Sequence, residues 1–130
     1  MPFLPQPFPW HLMPARRISA RRSVKPETVW LHYCRQRLTL AFGSDACLFK
    51  VHGGLGQEPG IADLVGVVNG KGVALELKTP GGKGKLSPLQ KDFLQRWTVA
   101  GGFSMVVDSE ESLKAAIEYL RMIKNESEKH

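Results

Sequence analysis

Two acidic residues and a lysine are spaced in the sequence as a site for a divalent metal ion would require. Asn69-Gly70 separates two apolar segments and predicts a β-hairpin with a two-residue turn of type I′. Counting back from that turn pairs Asp63 with Glu76, and directly opposed residues share one face, with β-carbons roughly 4.5–5.5 Å apart. Lys78 follows Glu76 by two positions, so we expect its side chain on the same face.

Two opposed carboxylates repel each other unless a cation lies between them. Mg²⁺ takes oxygen ligands, commonly one or two carboxylates together with waters and substrate phosphate oxygens. A lysine beside such an ion can orient an attacking water or stabilise charge that develops on a phosphoryl group. We therefore expect Asp63 and Glu76 to ligate a magnesium ion and Lys78 to act on the water or the transition state.

The length of the turn decides whether this site forms. A four-residue turn would place Asp63 opposite Lys78, with Glu76 diagonal to it on the same face. A three-residue turn would separate the two acids onto opposite faces, and no site would form. The other face of the hairpin is expected to be a core made of Ala62, Leu64, Leu75 and Leu77.

The surrounding pattern predicts an α/β domain with a mixed four-stranded sheet flanked by helices, in the order α-β-β-β-α-β-α. Strands are expected at about 46–52, 61–68, 71–79 and 103–107. Helices are expected at about 26–40, from 88 to about 100, and from about 110 to 124. The inward face of the last helix is predicted to hold Leu113, Ile117, Leu120 and also Met122.

The second helix has a well-marked start. Ser87 suits the N-cap, Pro88 the first helical position, and Gln90 the partner residue of a capping box. Gln90 therefore has a structural role available to it besides any role in a catalytic site. We do not expect one side chain to perform both roles fully.

These segments resemble the VRR-NUC branch of the PD-(D/E)XK nucleases, over residues from about 25 to 120. The matching segments are GIADL at 60–64, ELK at 76–78, LSPLQ at 86–90, AGG at 100–102 and DSEE at 108–111. One departure is Ala62, where the family usually has a proline before the acid. That proline takes no part in the chemistry, so the departure weakens the resemblance only slightly.

The resemblance implies a restriction-endonuclease-like core and a DNA nuclease that uses Mg²⁺, or Mn²⁺ in its place, often on branched or junction DNA. It implies that the carbonyl of Leu77 joins Asp63 and Glu76 as a metal ligand. Glu27 matches the family's acid on the first helix, which supports the metal directly or through water, and Gln90 matches an active-site glutamine. For Glu27 the alternative is a favourable interaction with the helix dipole. The resemblance also implies that small stand-alone members dimerise, so a homodimer is expected.

The charge balance favours an anionic partner. The chain has 18 Lys and Arg against 12 Asp and Glu, a net charge of +6, which is typical of DNA-binding proteins and also of proteins that are merely well solvated. Residues 1–24 are expected to form a flexible, Pro-rich basic arm, and residues 25–130 the nuclease domain. The expected DNA contacts are Arg16, Arg17, Arg21 and Arg22 of the arm, and Lys83 and Lys85 of the loop that follows the third strand.

Other residues near the site have two interpretations each. Lys50 and His52, on the strand before the site, could touch a phosphate, although a histidine at a strand end is more often structural. Trp30, Tyr33 and Trp97 could stack on bases, but their helical spacing favours core positions.

Several classes of protein are disfavoured. No apolar run is long enough to span a bilayer, and prolines interrupt the apolar N-terminus, so a secretory signal is not expected. Cys34 and Cys47 form no CxxC motif, which argues against a zinc site or disulfide framework and suits a reducing cytoplasm. Two rivals to the nuclease remain: a non-catalytic basic nucleic-acid-binding module on a nuclease scaffold, and a protein–protein adaptor whose arm docks elsewhere.

Overall fold

The computed structural model describes residue 9 and the segments 24–52 and 58–128 of the chain. Nearly all of the predicted arm, including Arg16, Arg17, Arg21 and Arg22, lies outside the described residues. The predicted DNA contacts of the arm therefore stay predictions.

The described chain is an α/β domain. Its elements are α1 (Pro26–Phe42), a short 3-10 turn (Gly43–Asp45), β1 (Ala46–Lys50), β2 (Leu64–Val68), β3 (Lys71–Leu77), α2 (Pro88–Val99), β4 (Phe103–Val107) and α3 (Glu110–Glu128). The first and last helices extend beyond their predicted ends. The first three strands are shorter than predicted by two or three residues each.

The four strands form one mixed sheet in the spatial order β1-β2-β3-β4. β1 pairs with β2 and β2 with β3 in antiparallel fashion, whereas β3 pairs with β4 in parallel. Parallel neighbours need a crossover connection, and α2 provides it between β3 and β4. The prediction of a mixed four-stranded sheet flanked by helices is confirmed.

The hairpin turn has the geometry that its sequence predicts. Asn69 has φ 50° and Gly70 has φ 81°, both in the left-handed region that a type I′ turn requires. The strands pair Val68 with Lys71 and Leu64 with Leu75, which is the register of a two-residue turn. The registers of three- and four-residue turns are therefore excluded. The side-chain amide of Asn69 also donates to the carbonyl of Leu120 at 2.9 Å and so joins the turn to α3.

Each face of the sheet carries helices. On one face, α1 and α3 pack over a core of Trp30, Cys34, Leu38, Phe42, Leu64, Val68, Val73, Leu75, Val107, Leu113, Ile117 and Leu120. On the other face, α2 packs over a smaller cluster of Ala62, Ala74 and Leu94. Burying one leucine-sized side chain contributes about 1.5–3 kcal/mol, so the α1–α3 face holds most of the apolar stabilisation.

The two tryptophans of the helices are packed, not presented to a partner. Trp30 is 1% exposed and donates its indole N–H to the carbonyl of Val107 at 3.1 Å. Trp97 is half-buried against Gly72, to whose carbonyl it donates at 3.2 Å. Tyr33, also half-buried, donates to Glu110 Oε2 at 2.7 Å and links α1 to α3. The core interpretation is confirmed for Trp30, whereas Tyr33 and Trp97 are half-buried side chains packed against the two clusters.

Two predictions about burial are wrong. Ala62 was expected on the face of Leu64 and Leu75, but it packs with Ala74 and Leu94 under α2. The cause is that β2 begins only at Leu64, so strand alternation does not extend back to Ala62. Met122 was expected to turn inward, yet it is 58% exposed. Its turn of α3 follows Leu120, the last fully buried side chain of that helix among residues 110–123, whose burial the structure describes.

No helix in the described segments combines the length and the apolar composition that crossing a bilayer needs.

Candidate active site

The hairpin brings the two predicted acids together at one end of the sheet. Asp63 directly precedes β2, and Glu76 is the penultimate residue of β3. The backbone N–H of Leu77 donates to Asp63 Oδ2 at 2.8 Å, which ties the aspartate side chain to the neighbouring strand. The backbone carbonyl of Asp63 accepts from Val51 N–H at 2.9 Å, so the residue is held from β1 as well. The position of Asp63 therefore depends on three strands.

The second oxygen of Asp63 faces a lysine. Lys50 Nζ lies 3.4 Å from Asp63 Oδ1 and donates a shorter hydrogen bond, 2.8 Å, to the carbonyl of Val51. Lys50 is the last residue of β1 and pairs with Leu64, the residue after the aspartate. The sequence indicated Lys50 only as a possible phosphate contact, because nothing in it fixes how β1 aligns with β2.

Glu76 is the one charged residue among those described that is fully buried, at 3% exposure. Its Oε1 accepts from Gln90 Nε2 at 3.0 Å and lies 3.7 Å from Lys78 Nζ. Its Oε2 is buried and has no hydrogen-bond partner within the described part of the chain. Burial raises the pKa of Glu76 to about 7; the nearby Asp63 carboxylate acts in the same direction, and Lys78 opposes the shift.

Gln90 completes the capping box of α2 and also contacts one of the two predicted acids. Its Oε1 accepts from the backbone N–H of Ser87 at 2.9 Å, and its own backbone N–H donates to Ser87 Oγ at 3.1 Å, which completes the capping box. Its Nε2 simultaneously donates to Glu76. One amide makes these bonds at the same time because its acceptor and donor ends are separate. The active-site role of Gln90 stays a prediction.

Glu27 lies near the acids without joining them. It is exposed in the first turn of α1 and lines a cavity of about 140 Å³ together with Lys50, Asp63 and Leu77. No group of three His, Cys, Asp or Glu side chains in the described segments is arranged to hold a metal ion. The support of a metal ion by Glu27, directly or through water, stays a prediction, as does its alternative, a favourable interaction with the helix dipole.

The donor set at the two acids fits magnesium. Mg²⁺ commonly uses one or two protein carboxylates and keeps several waters. Glu76 Oε2 is buried and unpartnered, and Asp63 Oδ1 has only a long contact to an ammonium group. Leu77 directly follows Glu76, and its backbone N–H donates to Asp63, so its carbonyl is a third candidate ligand. These three residues would hold the ion.

A basic cleft extends from the site. It has a volume of about 440 Å³, and its lining includes Lys78, Lys85 and Lys91 together with one acid, Asp108. Of the two lysines predicted in this loop, Lys85 lines the cleft, whereas Lys83 is exposed outside its lining. Lys91 was not predicted, although its place directly after Gln90 on α2 could have indicated it.

Comparisons with protein-family models, with curated proteins and with solved structures find no match to this chain.

Proposed function

We propose that the protein is a Mg²⁺-dependent DNA endonuclease, in which Mn²⁺ can replace Mg²⁺, and that it hydrolyses phosphodiester bonds. The observation that carries the proposal is the buried, unpartnered Oε2 of Glu76, beside Asp63 and near Lys78. A buried carboxylate oxygen that has no hydrogen-bond partner is costly to the folded state. Coordination of Oε2 by a divalent cation would remove that cost.

Each residue of the proposed site has its own role in the reaction. Asp63, Glu76 and the Leu77 carbonyl would hold the ion, which would activate a water and polarise a phosphoryl oxygen. Lys78 orients the attacking water or stabilises the negative charge that develops on the phosphoryl group. Gln90 keeps Glu76 in place through its amide N–H, and Glu27 acts on the site through water.

DNA binding is supported by charge. The net charge is +6, and the basic cleft brings Lys85 and Lys91 to the same cavity as Lys78. A cavity with three cations and one acid suits a phosphodiester backbone, whose affinity for proteins comes largely from lysine and arginine contacts. We propose that Lys85 and the arm arginines, Arg16, Arg17, Arg21 and Arg22, also contact phosphates.

Three finer proposals rest on the VRR-NUC resemblance. They are a restriction-endonuclease-like core, a preference for branched or junction DNA, and a homodimer that presents two sites to a symmetric substrate. The mixed sheet with helices on both faces supports the first. Sedimentation at micromolar concentration tests the homodimer, and a purely monomeric species refutes it.

Cytoplasmic location is proposed because Cys34 and Cys47 are both free thiols.

The deciding experiment is a cleavage assay of the full chain on linear, flapped and four-way DNA in EDTA, Mg²⁺ or Mn²⁺. Cleavage is expected only with metal, and Asp63→Asn and Glu76→Gln are each expected to abolish it without loss of the fold. Glu118→Gln, which removes an exposed acid of α3, is the matched control and should cleave normally. Metal-dependent cleavage by either site variant at the wild-type rate would refute the assignment. Salt-sensitive DNA binding with no cleavage in any metal would instead favour the non-catalytic binding module.

A further inference from the structure

Lys50 lies where it can neutralise one of the two proposed metal ligands. Its ammonium group is 3.4 Å from Asp63 Oδ1, and both side chains are only partly exposed, at 26% and 29%. It also lines the cavity of about 140 Å³ that adjoins Asp63 and Leu77. A cation already stands beside the oxygen that would otherwise be available to a divalent ion.

Two hydrogen bonds show that Lys50 is not needed to orient the aspartate. Asp63 Oδ2 is held by the N–H of Leu77 at 2.8 Å, and the Asp63 carbonyl is held by the N–H of Val51 at 2.9 Å. The lysine in turn has its shorter contact, 2.8 Å, with the carbonyl of Val51. The ammonium group can therefore leave Oδ1 and keep a partner, while the carboxylate can lose the lysine and keep its position.

A divalent ion and an ammonium group cannot share Oδ1 without strong repulsion. Like charges about 4 Å apart repel appreciably even at the high effective dielectric of a protein surface. Occupation of the site by a metal ion must therefore either displace Lys50 or be weakened by it.

We propose that Lys50 is an internal cation that neutralises Asp63 in the metal-free protein and competes with the divalent ion for its Oδ1. This inference rests on the proposed metal site. Lys50 thereby lowers the affinity for metal while it limits the repulsion between Asp63 and Glu76 in the metal-free state.

The test is a titration of the full chain with Mn²⁺, in which free Mn²⁺ is measured by electron paramagnetic resonance, without any nucleic acid. Lys50→Met is expected to bind Mn²⁺ about tenfold more tightly than the wild type, which is worth about 1.4 kcal/mol. Lys50→Arg keeps the positive charge and should show no gain. Lys114→Met removes an exposed lysine of α3 and controls for the change in net charge. Lys50→Gln replaces Lys50→Met if the latter does not fold.

The outcomes separate this inference from the function on which it rests. Equal or weaker Mn²⁺ binding by Lys50→Met overturns the competition, and weaker binding would make Lys50 a positioning residue for Asp63. An equal gain in Lys114→Met also overturns it, because the effect would then be one of net charge. If the wild type binds Mn²⁺ and Asp63→Asn does not, the metal site stands whatever Lys50 does. If neither the wild type nor Lys50→Met binds Mn²⁺, the metal site fails and the inference fails with it.

Discussion

Gln90 and Glu76 are joined by a hydrogen bond of 3.0 Å from the amide Nε2 to the carboxylate Oε1, and the same amide closes the N-terminal cap of α2. The helix start and the buried acid are therefore held by one side chain. Any change that moves the start of α2 moves a partner of Glu76 as well.

This link predicts different effects for the two partners of the capping box. Ser87→Ala removes the cap oxygen and should cost about 1 kcal/mol of stability, with the hydrogen bond to Glu76 and most of the cleavage retained. Gln90→Ala should cost a similar amount and also lower kcat, because Glu76 loses the donor that holds it. Urea unfolding and steady-state cleavage of both variants measure this. Equal loss of kcat in the two variants would mean that Gln90 acts only through the helix.

A pH-dependent stability is expected from Glu76. Burial raises the pKa of Glu76 from the ordinary 4.5 to about 7 in the folded protein, so between these values the folded state holds a proton that the unfolded state releases. The stabilising contribution is complete below about pH 4.5 and is lost as the pH rises to about 7. One pKa unit is worth about 1.4 kcal/mol, so a rise of the pKa from 4.5 to about 7 corresponds to a loss of roughly 3 kcal/mol.

The measurement is the free energy of urea unfolding in EDTA from pH 4.5 to 8, for the wild type and for Glu76→Gln. As the pH rises, the free energy of unfolding of the wild type should fall relative to that of Glu76→Gln, because glutamine has no charged form to bury. Parallel profiles for the two proteins would contradict the raised pKa of Glu76.

Lys78→Ala is expected to separate catalysis from metal binding. Lys78 Nζ is 3.7 Å from Glu76 Oε1 and is not a metal ligand, so the variant should lose most of its cleavage and still bind metal. Calorimetric titration with Mn²⁺ and cleavage under saturating metal measure the two properties. Lys71→Ala, at the hairpin end of β3, is the matched control. Loss of metal binding in Lys78→Ala would mean that the site has collapsed.

The lysines of the basic cleft should contribute to DNA affinity without regard to sequence. If both contact phosphates, the double variant Lys85→Ala and Lys91→Ala should reduce the slope of log K against log salt by about 1.8, at about 0.9 for each contact. Duplexes of different sequence should lose the same affinity. Titrations in EDTA across a salt series, with Lys114→Ala for comparison, measure the slope. An unchanged slope in the double variant would remove the cleft from the DNA-binding surface.

The turn and the cap could be predicted from sequence because both are local. Asn69-Gly70 favours the left-handed conformations of a two-residue turn, and that turn alone sets the pairing of Leu64 with Leu75. The proximity of Asp63 and Glu76 follows from the same register. The capping box likewise spans only a few residues, from Ser87 to Gln90.

Tertiary structure decided what depends on elements far apart in the chain. The contact of Lys50 with Asp63 depends on how β1 aligns with β2 across a long connection, and no local pattern sets that alignment. The burial of Glu76 and the second role of Gln90 depend on how α2 packs against the sheet. A turn is determined by the backbone preferences of its own residues, whereas burial and ion pairing are determined by which surfaces the whole chain brings into contact.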